Sequence, residues 1–170
     1  DESTVYPVVI DPSVSVISGY LWDTSVYSSR NRSPNPYYQD QFALVGTGLS
    51  SSAYGTLGEG RYFVNWKYIE HYMYLNPTSV NSVYYRVREG SGNTTSSSVK
   101  IYQVKQPFDQ TQITFSHPLG TQISTATLVG SGYYSLNITT AFRDWLKYEM
   151  GLGGYDQTCG FAITGSSVAR

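Results

Sequence analysis

The sequence predicts an all-β fold: an antiparallel two-sheet sandwich, jelly-roll-like, with one short helix near the C-terminus. Three observations predict it. Short apolar and aromatic runs of strand length recur along the chain, separated by clusters of Gly, Ser, Asn and Pro. Only one segment carries a helical period. The repeated helices that a parallel α/β fold requires are absent from the pattern. The 170 residues suit a single domain spanning 1–170, with no internal repeat and no second domain boundary.

Taken in order, strands are expected at 5–10 and 14–17, split by the turn signal Asp11-Pro12-Ser13, and then at 21–28. A loop at 29–36 follows, where Pro34 and Pro36 forbid a regular ladder. A short strand is expected at 42–45. Residues 46–60, rich in Gly, Ser and Thr, read as a long loop with Tyr54 and Leu57 as anchors. The longest strand is expected at 61–75, ended by Asn76-Pro77-Thr78-Ser79. Strands at 80–87, 99–104 and 112–115 follow, with a flexible connection at 90–98. The runs 124–129 and 133–138 read as a hairpin around Gly130-Ser131-Gly132. The segment 139–151 opens on the cap-forming Thr139 and Thr140 and closes on Gly151, which reads as a helix. Phe142, Trp145, Leu146 and Met150 fall on one helical face, expected to seal the sandwich. A last strand is expected at 159–164.

Composition narrows the function classes. Charged residues make up 14% of the chain and the net charge is -1, so Ser, Thr, Asn and Gln must supply the polar surface. Without clustered Lys and Arg, neither nucleic acid nor an anionic membrane is an expected partner. No stretch approaches the ~20 apolar residues of a membrane span. No signal peptide is visible, and the chain reads as a piece of a longer precursor. Cys159 is the one cysteine, which rules out an internal disulfide; its apolar neighbours make it a buried hydrophobe rather than a reactive thiol.

The order of motifs resembles the DNRLRE family of non-catalytic β-sandwich domains from secreted bacterial and archaeal proteins. Asp23-Thr24-Ser25-Val26-Tyr27, a Ser/Asn/Pro loop and Phe42-Ala43-Leu44-Val45-Gly46 look like that family's opening strand, loop and return strand. Leu75-Asn76-Pro77 followed by Val80-Asn81-Ser82-Val83-Tyr84-Tyr85-Arg86-Val87 looks like its strand end, turn and I-x-S-A-x-L-x-L strand. Val99-Lys100-Ile101-Tyr102-Gln103-Val104 is similar to V-x-V-Y-x-V. Ser135-Leu136-Asn137-Ile138-Thr139, Trp145 and Gly160-Phe161-Ala162-Ile163 are similar to F-D-V-T, a helical Trp and G-F-x-L. The resemblance spans roughly 21–166, and residues 1–20, read as N-terminal strands, lie outside it. Asn137 stands where the family has Asp, and Gln112-Ile113-Thr114-Phe115 where it has Thr-x-Thr-Trp. The resemblance implies a jelly-roll-like sandwich. Some relatives look like carbohydrate-binding modules joined to polysaccharide-degrading enzymes. Others sit in surface or YD-repeat proteins with no known ligand, so the fold is narrowed more than the function.

Tyrosine is the compositional outlier at 17 residues, and its ring offers an apolar face with a polar tip. In the strand 65–75, Lys67, Ile69, His71, Met73 and Leu75 share one face, and Trp66, Tyr68, Glu70, Tyr72 and Tyr74 the other. With Ile69, Met73 and Leu75 in the core, the second face becomes an exposed aromatic ladder suited to stacking on pyranose rings. Each such contact contributes ~1 kcal/mol or more by analogy with base stacking. An inverted register, a β-bulge, or a ladder serving only cross-strand stability are the competing readings. Trp22, Tyr37, Tyr38, Tyr54 and Tyr155 form a second, loop-borne candidate set, against simple packing over the sandwich end.

Catalysis is not expected. His71 and His117 are the only histidines, and no Ser-His-Asp or Cys-His arrangement accompanies them. No cofactor or metal site is assigned, although Asp11, Asp23, Asp40 and Asp156 are conceivable ligands for a structural calcium ion. The glycosylation-type triplets at Asn31, Asn93 and Asn137 read as coincidence. Two readings remain open. One is a monomeric extracellular or cell-surface module that binds polysaccharide weakly, multivalently and without salt dependence. The other is a spacer or assembly domain whose partners are neighbouring domains of the same chain.

Overall fold

Strand β3, Gly55–Trp66, is the longest element and organises the rest. It belongs to a computed structural model that describes residues 21–30, 44–51, 55–66, 76–89, 97–129 and 132–166. The strands expected at 5–10 and 14–17, residues 31–36 and 42–43 and the run 67–75 lie outside those residues. Along 60–66, β3 pairs antiparallel with β1, Leu21–Tyr27; along 61–64 its other edge pairs with β8, Phe161–Gly165. β8 pairs onward with β5, Ser97–Gln103, and β5 with β6, Gln122–Leu128. β2, Gly46–Ser51, pairs with the first half of β3, so that the large sheet has six strands. A second sheet consists of β4, Tyr84–Glu89, and β7, Gly132–Asn137. The helix α1, Thr139–Glu149, follows β7 after one residue. The protein is an all-β two-sheet sandwich with one short helix, as the sequence predicts.

Side-chain alternation along the large sheet builds two cores. Val64 of β3, Val99 and Ile101 of β5 and Phe161 and Ile163 of β8 face the second sheet. They pack there against Leu136, Ile138, Phe142, Trp145 and Leu146. Phe63 and Ala162 point the opposite way, with Val26, into a core closed by Val104, Phe108 and Ile113. That cover is the segment 104–120, pinned back on the sheet by Val104 N–H to Gly160 O at 2.9 Å and Gly120 N–H to Gln103 O at 2.8 Å. Arg61 holds it from the side, its guanidinium 3.9 Å from the Phe115 ring centroid and donating to Phe115 O at 3.1 Å. Phe63 meets Phe108 and His117 edge-on, each at 5.6 Å. The idea that a sheet strand meets water on one face therefore does not apply to 62–64, where Phe63 and Val64 are both buried.

Several element boundaries differ from the sequence reading. Residues 46–51 and 55–60, expected to lie in a loop, are strand: they form β2 and the first half of β3. Leu49 and Leu57 bury against Tyr27 in a small core of their own, which repays the ordering of a glycine-rich segment. Gly60 is needed here, because it pairs with both Tyr27 and Gly46, and a Cβ would strike the Leu44 carbonyl and the Leu49 side chain. Residues 80–83 precede β4 rather than belong to it. They are held by Arg143 donating to Val80 O at 2.7 Å and by Val83 N–H donating to Thr139 Oγ1 at 2.8 Å. Residues 112–115 are not a strand. Asp109 draws Gln112 N–H and Ile113 N–H to its carbonyl and Thr111 N–H to its carboxylate, closing a turn that takes these donors out of any ladder.

The runs around 130–132 do not form a hairpin. β6 pairs with β5 in the large sheet and β7 with β4 in the small one. Changing layers here lets Leu128 and Leu136 enter the same core from opposite sides. At the helix start, Thr139 does not act as N-cap. Ile138 holds that position, Asn137 Oδ1 accepts from Thr139 N–H at 2.9 Å, and the Thr139 hydroxyl ties to Val83. At the helix end, Met150 is 41% exposed, because Gly151 at φ 74 turns the chain off the core one residue later.

Candidate functional site

The β4–β7 ribbon has one face in the main core and one in water. Tyr85, Val87, Tyr134 and Leu136 turn inward. Tyr84, Arg86, Tyr133, Ser135 and Asn137 turn outward, by the strict alternation of both strands. Register pairs Tyr84 with Asn137, Arg86 with Ser135 and Arg88 with Tyr133, so the outer face consists of three rungs with an aromatic ring at each end. Both rings are exposed, Tyr84 by 55% and Tyr133 by 67%. The Arg86 guanidinium lies 5.7 Å from the Tyr133 ring centroid, so the ring carries a cation beside it.

Behind the ribbon, polar tips from both sheets are buried together. Tyr62 of β3 donates its hydroxyl to Asp23 of β1, and Tyr62 and Tyr85 both pack against the main core. Burial, with the neighbouring Tyr85 phenol and the Asp23 carboxylate, holds Tyr62 neutral far above the usual tyrosine range. Burial pushes Tyr85 up to about 12. At the ribbon's open end the Tyr134 hydroxyl bridges the Val129 backbone, accepting from its N–H and donating to its carbonyl, both at 2.9 Å.

The residues singled out in the sequence are placed as follows. Trp66 and Trp22 lie within β3 and β1, where Trp22 pairs in register with Asn65, and their side chains lie outside the described structure. Tyr68, Glu70, Tyr72, Tyr74, Tyr37, Tyr38, Tyr54 and His71 lie outside the described residues, as do Asp11 and Asp40. Tyr155 is half-buried with the Lys147 ammonium 4.4 Å from its ring centroid, so it is engaged within the fold. Of the conceivable calcium ligands, Asp23 accepts from Tyr62 and Asp156 pairs with Lys105. Among the described residues no three His, Cys, Asp or Glu side chains converge on a point. Cys159 is buried and donates to Lys105 O at 3.6 Å, and burial pushes its thiol up. His117 sits against Phe63 and Phe108 with Nε2 3.2 Å from Gln106 O, and burial lowers its pKa.

Tyr84, Arg86 and Tyr133 were not in the candidate set. Their signal in the sequence is the pair of doublets Tyr84-Tyr85 and Tyr133-Tyr134: in a strand, one ring of each doublet must face each way. Which one faces water depends on which neighbour enters the core, and that is a tertiary fact. Chemically, the face offers two stackable rings, a planar five-donor guanidinium, a hydroxyl and an amide, which is the equipment of a binding surface. No helix among the described residues is long and apolar enough to cross a membrane. Comparison with protein-family models and with curated proteins finds no match for this chain.

Proposed function

We propose that the protein is a non-catalytic module that binds polysaccharide through the outer face of the β4–β7 ribbon, within a larger extracellular or cell-surface protein. One observation carries the reading: two tyrosine rings stand in water on the same face of a braced ribbon, with Arg86 and Ser135 between them. Exposed rings on a fixed surface suit pyranose rings, whose C–H faces are apolar and whose hydroxyls seek donors and acceptors at the ring edge. Each stack contributes ~1 kcal/mol or more by analogy with base stacking. Such sites are weak singly and gain by repetition along a polymer. The resemblance to non-catalytic sandwich domains and the low charge of the chain support the same reading. The aromatic row at 66–74 is proposed as a further contact set.

Affinity electrophoresis through gels containing plant, algal or cell-wall polysaccharides tests the proposal. At least one polymer should retard the wild-type chain, and Tyr84→Ala/Tyr133→Ala should migrate unretarded while keeping the wild-type melting temperature. Retardation of the double variant equal to wild type would move the site off the ribbon, where Trp66→Ala and Tyr72→Ala probe the other row. Retardation by no polymer would sink sugar binding. In that case the spacer reading takes over, and Tyr148, Met150 and Leu152 favour it: they sit exposed around the end of α1 as an apolar surface available to a neighbouring domain.

A further inference from the structure

Resting on the sugar-binding reading, we infer that the ribbon reads a linear glycan along its length, through about four consecutive sugar units, and not a monosaccharide or a chain end. Tyr84 and Tyr133 occupy the first and last rungs of the outer face and lie on opposite strands. Four register steps separate them, about 14 Å along the ribbon at the usual rise per strand residue. A single pyranose is the size of one phenol ring and reaches only one tyrosine. A chain that covers both must therefore carry about two units between them, over the Arg86–Ser135 rung. The guanidinium presents donors in a fixed plane and the hydroxyl accepts or donates, so the middle units are met at their edges by hydrogen bonds while the outer two are met on their faces.

The exposure of the rings excludes recognition of a chain end. A site that reads an end needs walls around the terminal unit. A ring in such a pocket loses most of its accessible surface, whereas Tyr84 keeps 55% of its own and Tyr133 67%. The line joining the rings runs diagonally across both strands. Affinity should rise with chain length until both rings are covered and then level off.

Isothermal titration of the wild-type chain with β-1,4-linked gluco-, manno-, xylo- and galacturono-oligosaccharides of one, two, four and six units tests this. In the series that binds, the four- and six-unit probes should bind similarly and about tenfold tighter than the two-unit probe. Tyr84→Ala and Tyr133→Ala should each bring the six-unit probe down to the level of the two-unit probe while leaving the two-unit probe within about twofold. Both rings are exposed, so an unchanged melting temperature shows that the variants are folded. Equal affinity for two and six units would overturn chain-length reading and leave sugar binding in place. A failure of every series to bind would overturn both.

Discussion

Single residues in this protein act through burial on a scale that pH can test. Tyr62 and Tyr85 are kept neutral between the two sheets, and the Tyr85 phenol is pushed up to about 12 from its ordinary 10. A folded-state pKa raised above the unfolded value means that the neutral phenol is favoured by folding. Below pH 10 both states are neutral and that stabilisation is fully present. Above pH 10 the unfolded chain releases the proton first, and stability falls as pH rises towards the folded value. Urea denaturation between pH 9 and pH 12 should therefore show a midpoint that drops steeply above pH 10. In Tyr85→Phe, which has no proton to lose at that position, the drop should be shallower, and an unchanged slope would place Tyr85 outside the linkage. The same alternation that turns Tyr85 inward turns Tyr84 outward, so one doublet supplies a brace and a contact surface at once.

Elements here are stabilised mainly by what covers them. Trp145 is 2% exposed and meets Phe161 edge-on at 5.7 Å, so α1 is docked by its indole and by Leu146 onto the large sheet. Trp145→Ala should cost about 3–5 kcal/mol through the cavity it leaves. Equilibrium urea unfolding should show this as a lower midpoint. A loss under about 1 kcal/mol would mean that α1 is held chiefly by its polar ties to residues 80–83. The helix period was legible in the sequence because it repeats a local spacing. Its start was not: Thr139 is a good N-cap by type, yet its hydroxyl is committed to Val83, a residue 56 positions away. Residues 112–115 depart from the expected strand for a similar reason. Ile113 and Phe115 look like strand residues, but Asp109 closes a turn and their side chains serve as a lid on Phe63 and its neighbours.

At the scale of the whole molecule, the two sheets differ in support. β3, β8 and β5 each have a strand on both sides and side chains packed on both faces. In the small sheet, among the described residues, β4 and β7 pair only with each other, and Tyr84 and Tyr133 on their outer face are exposed. Hydrogen exchange followed by mass spectrometry should find the amides of 61–64, 99–102 and 161–163 slowest, and those of 84–87 and 133–136 faster by at least tenfold, because sub-global opening can release the ribbon without opening the central sheet. Equal rates would show the ribbon and sheet opening as one unit. Net charge is small, and the proposed glycan contacts act at short range.

The sequence by itself determined the class of fold, the strands that became β1, β5, β6, β7 and β8 to within a few residues, the single helix and the burial of Cys159. Each of these follows from local periods and turn residues, which act between near neighbours in the chain. Only the tertiary structure decided which strands pair, that 46–51 and 55–60 order into strands, that 104–120 covers the second face of the large sheet, and that Tyr84 and Tyr133 meet solvent. Those outcomes depend on which apolar surfaces find each other across long separations. A period-2 pattern marks two faces of a strand without saying which will be covered, because the covering surface comes from elsewhere in the chain.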